Sequence, residues 1–196
     1  MKVIAINGSA RKEGNTTSLI NMVFKELNEE GIDTEIVKLS GKNIKNCLAC
    51  MKCFENKDRK CVIKSDILNE IIEKMVSADA IILGSPTYFA NVTPEIKALI
   101  DRAGLVGIAN DHLFARKVGA AVVAVRRAGS TNTFDAINKF FFINQMIVPG
   151  SSYWNMGIGL KPGDVNNDEE GILTMKNLGQ NMAWLLKKIN TNIITD

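Results

Sequence analysis

A chain of 196 residues, 46% hydrophobic and 23% charged, has the length and composition of one globular domain with a sizeable core, neither disordered nor stapled by disulfides. Its 24 basic and 21 acidic residues leave a net charge of +3, and no dense Lys/Arg run interleaves with aromatics, so nucleic acid is not an expected partner. The longest apolar runs, such as residues 120–125, fall far short of the roughly 20 residues of a membrane span, and Met1-Lys2 leads straight into a strand-like run; no membrane association and a cytoplasmic location are expected.

The opening Lys2-Val3-Ile4-Ala5-Ile6-Asn7 is short, β-branched and continuous, as befits a strand buried on both faces of a parallel sheet. A polar loop over 8–14 follows. Asn15-Thr16-Thr17 then offers an N-cap, and Leu19, Met22, Val23 and Leu27 recur at helical spacing until Gly31 supplies a stop. Residues 34–39 read as a second strand, and Ser65-Asp66 opens a helix carrying Ile67, Ile71, Ile72 and Met75. A third strand is predicted over 78–84, and Thr93-Pro94 starts the next helix, proline being allowed in a first turn. Residues 118–125 are a fourth strand, followed by a helix from about 131 to 146. A fifth strand is predicted at 147–153 and a last helix at 171–189, with Trp154 and Trp184 as packing residues. Five strands alternating with five helices predict a doubly wound α/β sheet in one domain over 1–196, with a cysteine-rich loop inserted at about 41–65.

In such a fold ligands bind beyond the carboxyl ends of the strands, so the loops after strands one, three and four are where chemistry belongs. The first, Gly8-Ser9-Ala10-Arg11-Lys12-Glu13-Gly14-Asn15-Thr16-Thr17, joins a buried strand to a helix N-terminus, where free N–H groups and the helix dipole favour a phosphate. Ser9, Asn15, Thr16 and Thr17 add neutral donors and Arg11 a charged one. Neither a Gly-Lys-Ser/Thr ending nor a Gly-x-Gly-x-x-Gly is present, so a monophosphate fits better than a nucleoside triphosphate or a dinucleotide, an ordinary capped turn being the alternative. This loop resembles that of the NADPH-dependent FMN reductase group of flavodoxin-like proteins, Gly-Ser-x-Arg-x-x-Gly-Asn-Thr. The resemblance implies a three-layer sandwich with a five-stranded parallel sheet in the order 2-1-3-4-5, and FMN phosphate bound by Ser9, Arg11, Asn15, Thr16 and Thr17. Gly84-Ser85-Pro86-Thr87-Tyr88-Phe89, followed by Asn91-Val92-Thr93-Pro94, is similar to the segment that packs on the isoalloxazine and ribityl chain. Pro86, Thr87, Tyr88, Phe89 and Asn91 are its candidate contacts. A flat amphiphilic ring needs apolar contact plus backbone hydrogen bonds, which such a loop supplies; Tyr88 and Phe89 as core aromatics are the competing reading. In Arg126-Arg127-Ala128-Gly129-Ser130, a cation such as Arg126 near the pyrimidine edge stabilises reduced flavin, and Gly129 permits close backbone approach. The arginines are as readily solvated or turned to another subunit. His112 is read as exposed or partner-contacting rather than catalytic.

The four cysteines all lie in C-x2-C-x2-C-x7-C, at Cys47, Cys50, Cys53 and Cys61. Three thiolates at intervals of three can hold three corners of one iron–sulfur cubane, with the fourth closing the last. Zinc draws more often on two separated Cys-x2-Cys knuckles and fits less well; free or redox-active thiols are the third possibility. With the flavin loops, the motif is similar to the iron–sulfur flavoprotein family of anaerobic archaea and bacteria. That resemblance implies a [4Fe-4S] cluster on the four cysteines beside FMN, a homodimer or homotetramer, and electrons arriving from ferredoxin. The expected function is an electron-transfer oxidoreductase passing those electrons to a small-molecule or protein acceptor, with no conventional acid–base residue. A cluster-free NAD(P)H-dependent FMN or quinone reductase, and a thiol/flavin redox-sensing module, are the alternatives.

Overall fold

Val3, Ile4, Ala5 and Ile6 have no exposed surface, because the strand they form, β1 (Lys2–Asn7), is paired on both edges and covered on both faces. The computed structural model describes residues 1–191. Its five parallel strands follow the order β2-β1-β3-β4-β5, the other four being β2 (Asp33–Lys38), β3 (Ala80–Pro86), β4 (Val118–Val125) and β5 (Met156–Ile158). The helices are α1 (Asn15–Glu29), α2 (Lys52–Asn56), α3 (Leu68–Ser77), α4 (Pro94–Ala109), α5 (Ser130–Ile143) and α6 (Glu169–Thr191), with a short 3₁₀ turn at Asp164–Asn167.

Because successive strand side chains point to opposite faces, the sheet divides two cores. Ile4, Ile6, Ile81, Leu83 and Val123 pack with Ile71, Leu99 and Phe140 of α3, α4 and α5. Val3, Ala5, Ile82 and Val122 pack with Leu19 and Val23 of α1 and Met182 of α6. At roughly 1.5–3 kcal/mol per fully buried large aliphatic side chain, these faces fix the strand register, and with it the loops at the carboxyl edge.

Three expectations fail. Residues 147–153 form no strand: Ile147 makes a single bridge to Val118, and pairing to β4 resumes only at Met156. Pro149 lacks the N–H that a ladder requires, and Gly150 follows it. Trp154 and Trp184 are more than half exposed rather than packed inside. The expected N-cap also shifts, since Gly14 precedes α1 and Asn15–Thr17 lie inside its first turn. Among the described residues no helix is long and apolar enough to cross a membrane.

Candidate functional site

Asn7, the last residue of β1, organises the first loop. Its Oδ1 accepts from Ser9 N at 2.9 Å and its Nδ2 donates to Thr17 Oγ1 at 2.9 Å. Ser9 Oγ in turn accepts from Arg11 N at 3.2 Å. Asn15 Oδ1 accepts from Gly163 N at 2.9 Å, tying the loop after β5 to α1. With Asn15 and Thr17 so engaged, no side chain caps α1, and its first N–H groups are left for water or an anion. Gly8 brings this loop against the start of α4. A Cβ there would stand 2.2 Å from Ile96 Cγ1 and 2.7 Å from Thr93 Oγ1, so only glycine permits the approach.

A cleft of about 140 Å³ opens over these groups. Ser9, Arg11, Asn15 and Thr16 line one side, Pro86, Thr87 and Tyr88 another, with Arg126 and Gly159-Leu160 closing it. Arg11 Nη1 donates to the Leu160 carbonyl at 3.2 Å. The Thr87 hydroxyl is buried without a hydrogen-bond partner, an arrangement that costs free energy unless a ligand or water satisfies it. Neither a carboxylate nor an imidazole lines the cleft. Beside it, Tyr88 and Asn91 exchange both backbone hydrogen bonds across a tight turn whose central residues, Phe89 and Ala90, have φ of 47° and 57°. Such left-handed geometry in two non-glycine residues stores strain. It lifts Phe89 wholly into solvent, with Tyr88 44% exposed, so neither ring belongs to the core. Gly129, at φ 86°, packs on the back of this turn, where a Cβ would lie 2.9 Å from Ala90 Cβ.

The second constellation lies between β2 and α3. Cys47, Cys50, Cys53 and Cys61 are unpaired and line one recess, walled by Leu105 and Val106 of α4 and by Arg102. Several sulfurs have N–H donors nearby. Ala49 N donates to Cys47 Sγ at 3.4 Å and Arg102 Nε to Cys61 Sγ at 3.3 Å. Burial pushes the Cys53 thiol up, and the amides of Phe54 and of Cys53 itself work against that shift. Ala49, Met51, Lys57 and Arg59 all have positive φ, a left-handed geometry uncommon in non-glycine residues. The enclosed space is only about 20 Å³, and most of the stretch Leu48-Ala49-Cys50-Met51 along it is exposed. Among the described residues, no three His, Cys, Asp or Glu converge tightly enough to hold a single metal ion.

Arg102 holds the recess together. Its side chain and that of Asp66 have no exposed surface, and they pair at 2.5 Å (Nη1 to Oδ2) and 3.2 Å (Nη2 to Oδ1). The same guanidinium donates to the carbonyls of Lys45, at 3.0 Å, and Ile63, at 3.2 Å, clipping both ends of the cysteine segment to α4. Burial pushes the Asp66 carboxyl up, but Arg102 and the amides of Lys45 and Leu68 outweigh it and hold the group below its usual range.

Residues 1–161 match the family described as NADPH-dependent FMN reductase. An iron–sulfur flavoprotein of Methanocaldococcus jannaschii is 42% identical over 196 residues, spanning 96% of this chain and 99% of its own. One from Methanosarcina thermophila is 33% identical over 98% of both chains. The chain belongs to the NADPH-dependent FMN reductase family, within its iron–sulfur flavoproteins. This family membership makes it a flavin-dependent oxidoreductase. Among solved structures, RosB with a bound flavin-derived intermediate superposes with a TM-score of 0.74 at 15% identity, over 100% of this chain and 82% of that one. An archaeal flavodoxin superposes with a TM-score of 0.62 at 18% identity, over 95% and 99%. At such identities the likeness carries the flavodoxin-like fold alone.

Of the residues expected around the flavin of this family, Ser9, Arg11, Asn15, Thr16, Pro86, Thr87, Tyr88 and Arg126 line the cleft together. Thr17, Phe89, Asn91 and Gly129 do not. Thr17 serves the Asn7 network, Asn91 Oδ1 accepts from Val92 N at 2.8 Å, and Phe89 and Gly129 belong to the adjoining turn. Gly159 and Leu160 were missed with the misplaced fifth strand; the glycines at 157, 159 and 163 were the available signal. Arg102 was missed because a lone arginine on a helix carries no spacing signature. His112 lies outside both constellations, half-buried, with Nδ1 unpartnered.

Proposed function

We propose that the protein is an electron-transfer oxidoreductase that holds FMN in the cleft above α1 and a [4Fe-4S] cluster on Cys47, Cys50, Cys53 and Cys61. In this reading it takes electrons from a ferredoxin-like donor and passes them to a small-molecule or protein acceptor. One observation carries the reading: all four thiols of the motif line a single recess walled by apolar side chains and supplied with N–H donors. When bound, the cluster supplies one electron at a time and FMN accepts one or two.

The chain's own residues divide the work. The uncapped N–H groups of α1, with Ser9, Thr16 and Arg11, bind the phosphate; Thr87 Oγ1 gains the partner it lacks; Tyr88 and Arg126 border the ring. Arg102 and the loop amides stabilise thiolate sulfur. The two sites share no lining residue. Arg102 and Val106 stand eight and twelve residues beyond Pro94, so at 1.5 Å per residue the recess lies about 12–18 Å along α4 from the helix end beside the cleft. The homodimer or homotetramer that the family resemblance implies belongs to the same reading.

Anaerobically purified protein, analysed for iron, sulfide, zinc and FMN and examined by absorption and EPR spectroscopy, tests this. Four irons and four sulfides per FMN, lost in Cys50→Ser while FMN is retained, are expected. Iron-free protein whose flavin is bleached rapidly by NADPH and not by reduced ferredoxin refutes the reading. That outcome supports the cluster-free NAD(P)H reductase, a second reading favoured by the narrowness of the recess.

A further inference from the structure

Cys61 is held at each of its hydrogen-bonding groups by residues of two helices. Its N–H donates to Asn69 Oδ1 at 2.8 Å, its carbonyl accepts from Asn69 Nδ2 at 2.9 Å, and its Sγ accepts from Arg102 Nε at 3.3 Å. The same Nδ2 donates to the Ile63 carbonyl at 3.3 Å. Asn69 thus spends both N–H groups and its oxygen on the backbone of 61–63. An ionised aspartate has no donor and serine or threonine only one, so no other side chain of that length completes the set.

Asn69 is the second residue of α3, a place where a short polar side chain ordinarily bonds to its own helix end. Asp66 has taken that task, accepting from Leu68 N at 3.2 Å, which leaves Asn69 to reach outward. The other thiols are held differently. Cys47 Sγ accepts from Ala49 N, the Met51 carbonyl from Phe54 N and the Cys53 carbonyl from Lys57 N, all contacts within the segment itself, and Cys50 is exposed. Cys61 stands seven residues beyond Cys53, and two of the seven, Lys57 and Arg59, have left-handed backbone. A free arm of that length loses conformational entropy when its thiol is brought to a metal. Bonds that fix the arm beforehand remove that cost.

We propose that Asn69 is a positioning residue for the Cys61 thiol: it fixes the backbone of the fourth ligand in advance of any metal, and Arg102 orients the sulfur. Cys61 is thereby the corner set from outside the segment, and the triplet holds the corners set from within it. The inference rests on the four thiolates holding one metal centre. Partners that orient a metal ligand from behind commonly carry about ten- to a hundredfold in metal affinity.

The test labels the thiols of metal-free, FMN-loaded protein with iodoacetamide under anaerobic conditions and reads each cysteine by mass spectrometry. Asn69→Ala is expected to raise the labelling rate of Cys61 at least about tenfold, with Cys47 and Cys50 changed less than about twofold. Asn181→Ala, which removes a donor to the Gly150 carbonyl on α6, leaves all four rates unchanged. In the holoprotein, Asn69→Ala is expected to release iron to excess chelator about ten- to a hundredfold faster than the parent, with FMN retained. In the parent itself, the Cys61 amide is expected to exchange hydrogen at least about tenfold more slowly than the Leu48 amide after correction for intrinsic rates. That measurement needs no variant to fold, and equal exchange at the two amides overturns the proposal. An unchanged Cys61 labelling rate, with or without faster iron loss, also overturns it. So does a rise shared by all four thiols, which makes Asn69 a general support of the fold. A parent free of iron, with Cys61 alone unmasked in Asn69→Ala, upholds the positioning role and refutes the cluster.

Discussion

Replacing Arg102 by Met removes a guanidinium that, like its partner Asp66, has no exposed side-chain surface. Two bonds to the carboxylate and one to each carbonyl of Lys45 and Ile63 are lost, besides the contact with Cys61. Asp66 keeps only the amides of Lys45, at 3.0 Å, and Leu68, at 3.2 Å, while remaining in place as a buried charge. Breaking a buried pair from one side costs about 3–5 kcal/mol, because the stranded ion keeps its desolvation penalty. For a chain of this size that lowers the melting temperature by roughly 6–20 °C. If desolvation dominates, Arg102→Met/Asp66→Asn, with both charges gone, returns to within about 2 kcal/mol of the parent. Urea unfolding of the apoprotein, followed by far-ultraviolet circular dichroism, measures both. A single variant within about 1 kcal/mol of the parent, or no rescue in the double variant, refutes the argument. The rescued double variant has a further use: it folds but lacks the N–H donor to Cys61, so its cluster should show a lower midpoint potential than the parent.

Three more outcomes are expected. Arg11→Ala should weaken FMN binding by about tenfold, the loss of one charge-assisted phosphate contact, as read by flavin fluorescence quenching on titration into apoprotein; an unchanged affinity would place the phosphate elsewhere. Gly8→Ala forces the first loop away from Ile96 and Thr93, so it should cost about 1–3 kcal/mol and weaken FMN binding as well, whereas a stability loss alone would separate the loop from the flavin. Asp66 is held below its ordinary range, so its stabilising contribution is complete above the unfolded value of about 4 and is lost as pH falls through the lower folded value. Unfolding midpoints between about pH 7 and 3 should therefore drop less steeply in Asp66→Asn than in the parent, and parallel curves would refute the assignment.

The fold was legible because its strands are continuous apolar runs and its helices keep a 3.6-residue period, signals that survive without knowledge of neighbours. What escaped depended on contacts between distant segments. The fifth strand is three residues long and is paired by β4 rather than by its own composition, while the more apolar-looking stretch before it is broken by Pro149. The flavin loops were legible as motifs, yet motif membership did not separate residues that line the cleft from residues that shape it. Thr17 and Asn91 are spent on internal hydrogen bonds, and Phe89 is turned outward by a left-handed backbone that no composition announces. For the cysteines, spacing announced four thiols in one segment, but not the clip that ties that segment down, since Arg102 lies 41 residues beyond Cys61.

That clip and the cleft share a support. At its N-terminal end α4 is capped by Thr93, whose Oγ1 accepts from Ile96 N and whose own N–H donates to Ser85 Oγ at the end of β3. Gly8 brings the phosphate loop into contact with this same pair, Thr93 and Ile96. Two to three turns further along, Arg102 and Val106 wall the thiol recess. A continuous helix buried on the sheet side by Leu99, Ala103 and Val106 is a stiff rod, so the two sites are held at a fixed spacing even though they touch no common residue. The cysteine segment is attached to that rod by the Arg102 guanidinium and, at the far end, by Arg59 N donating to Asn110 Oδ1 at 2.9 Å. Segment and cleft can therefore vary separately in sequence while their separation is preserved. The two sites also differ in their borders: the cleft at one end of α4 carries two arginines and no carboxylate, and a groove beside the recess on its flank is bordered by Lys45 and Lys64.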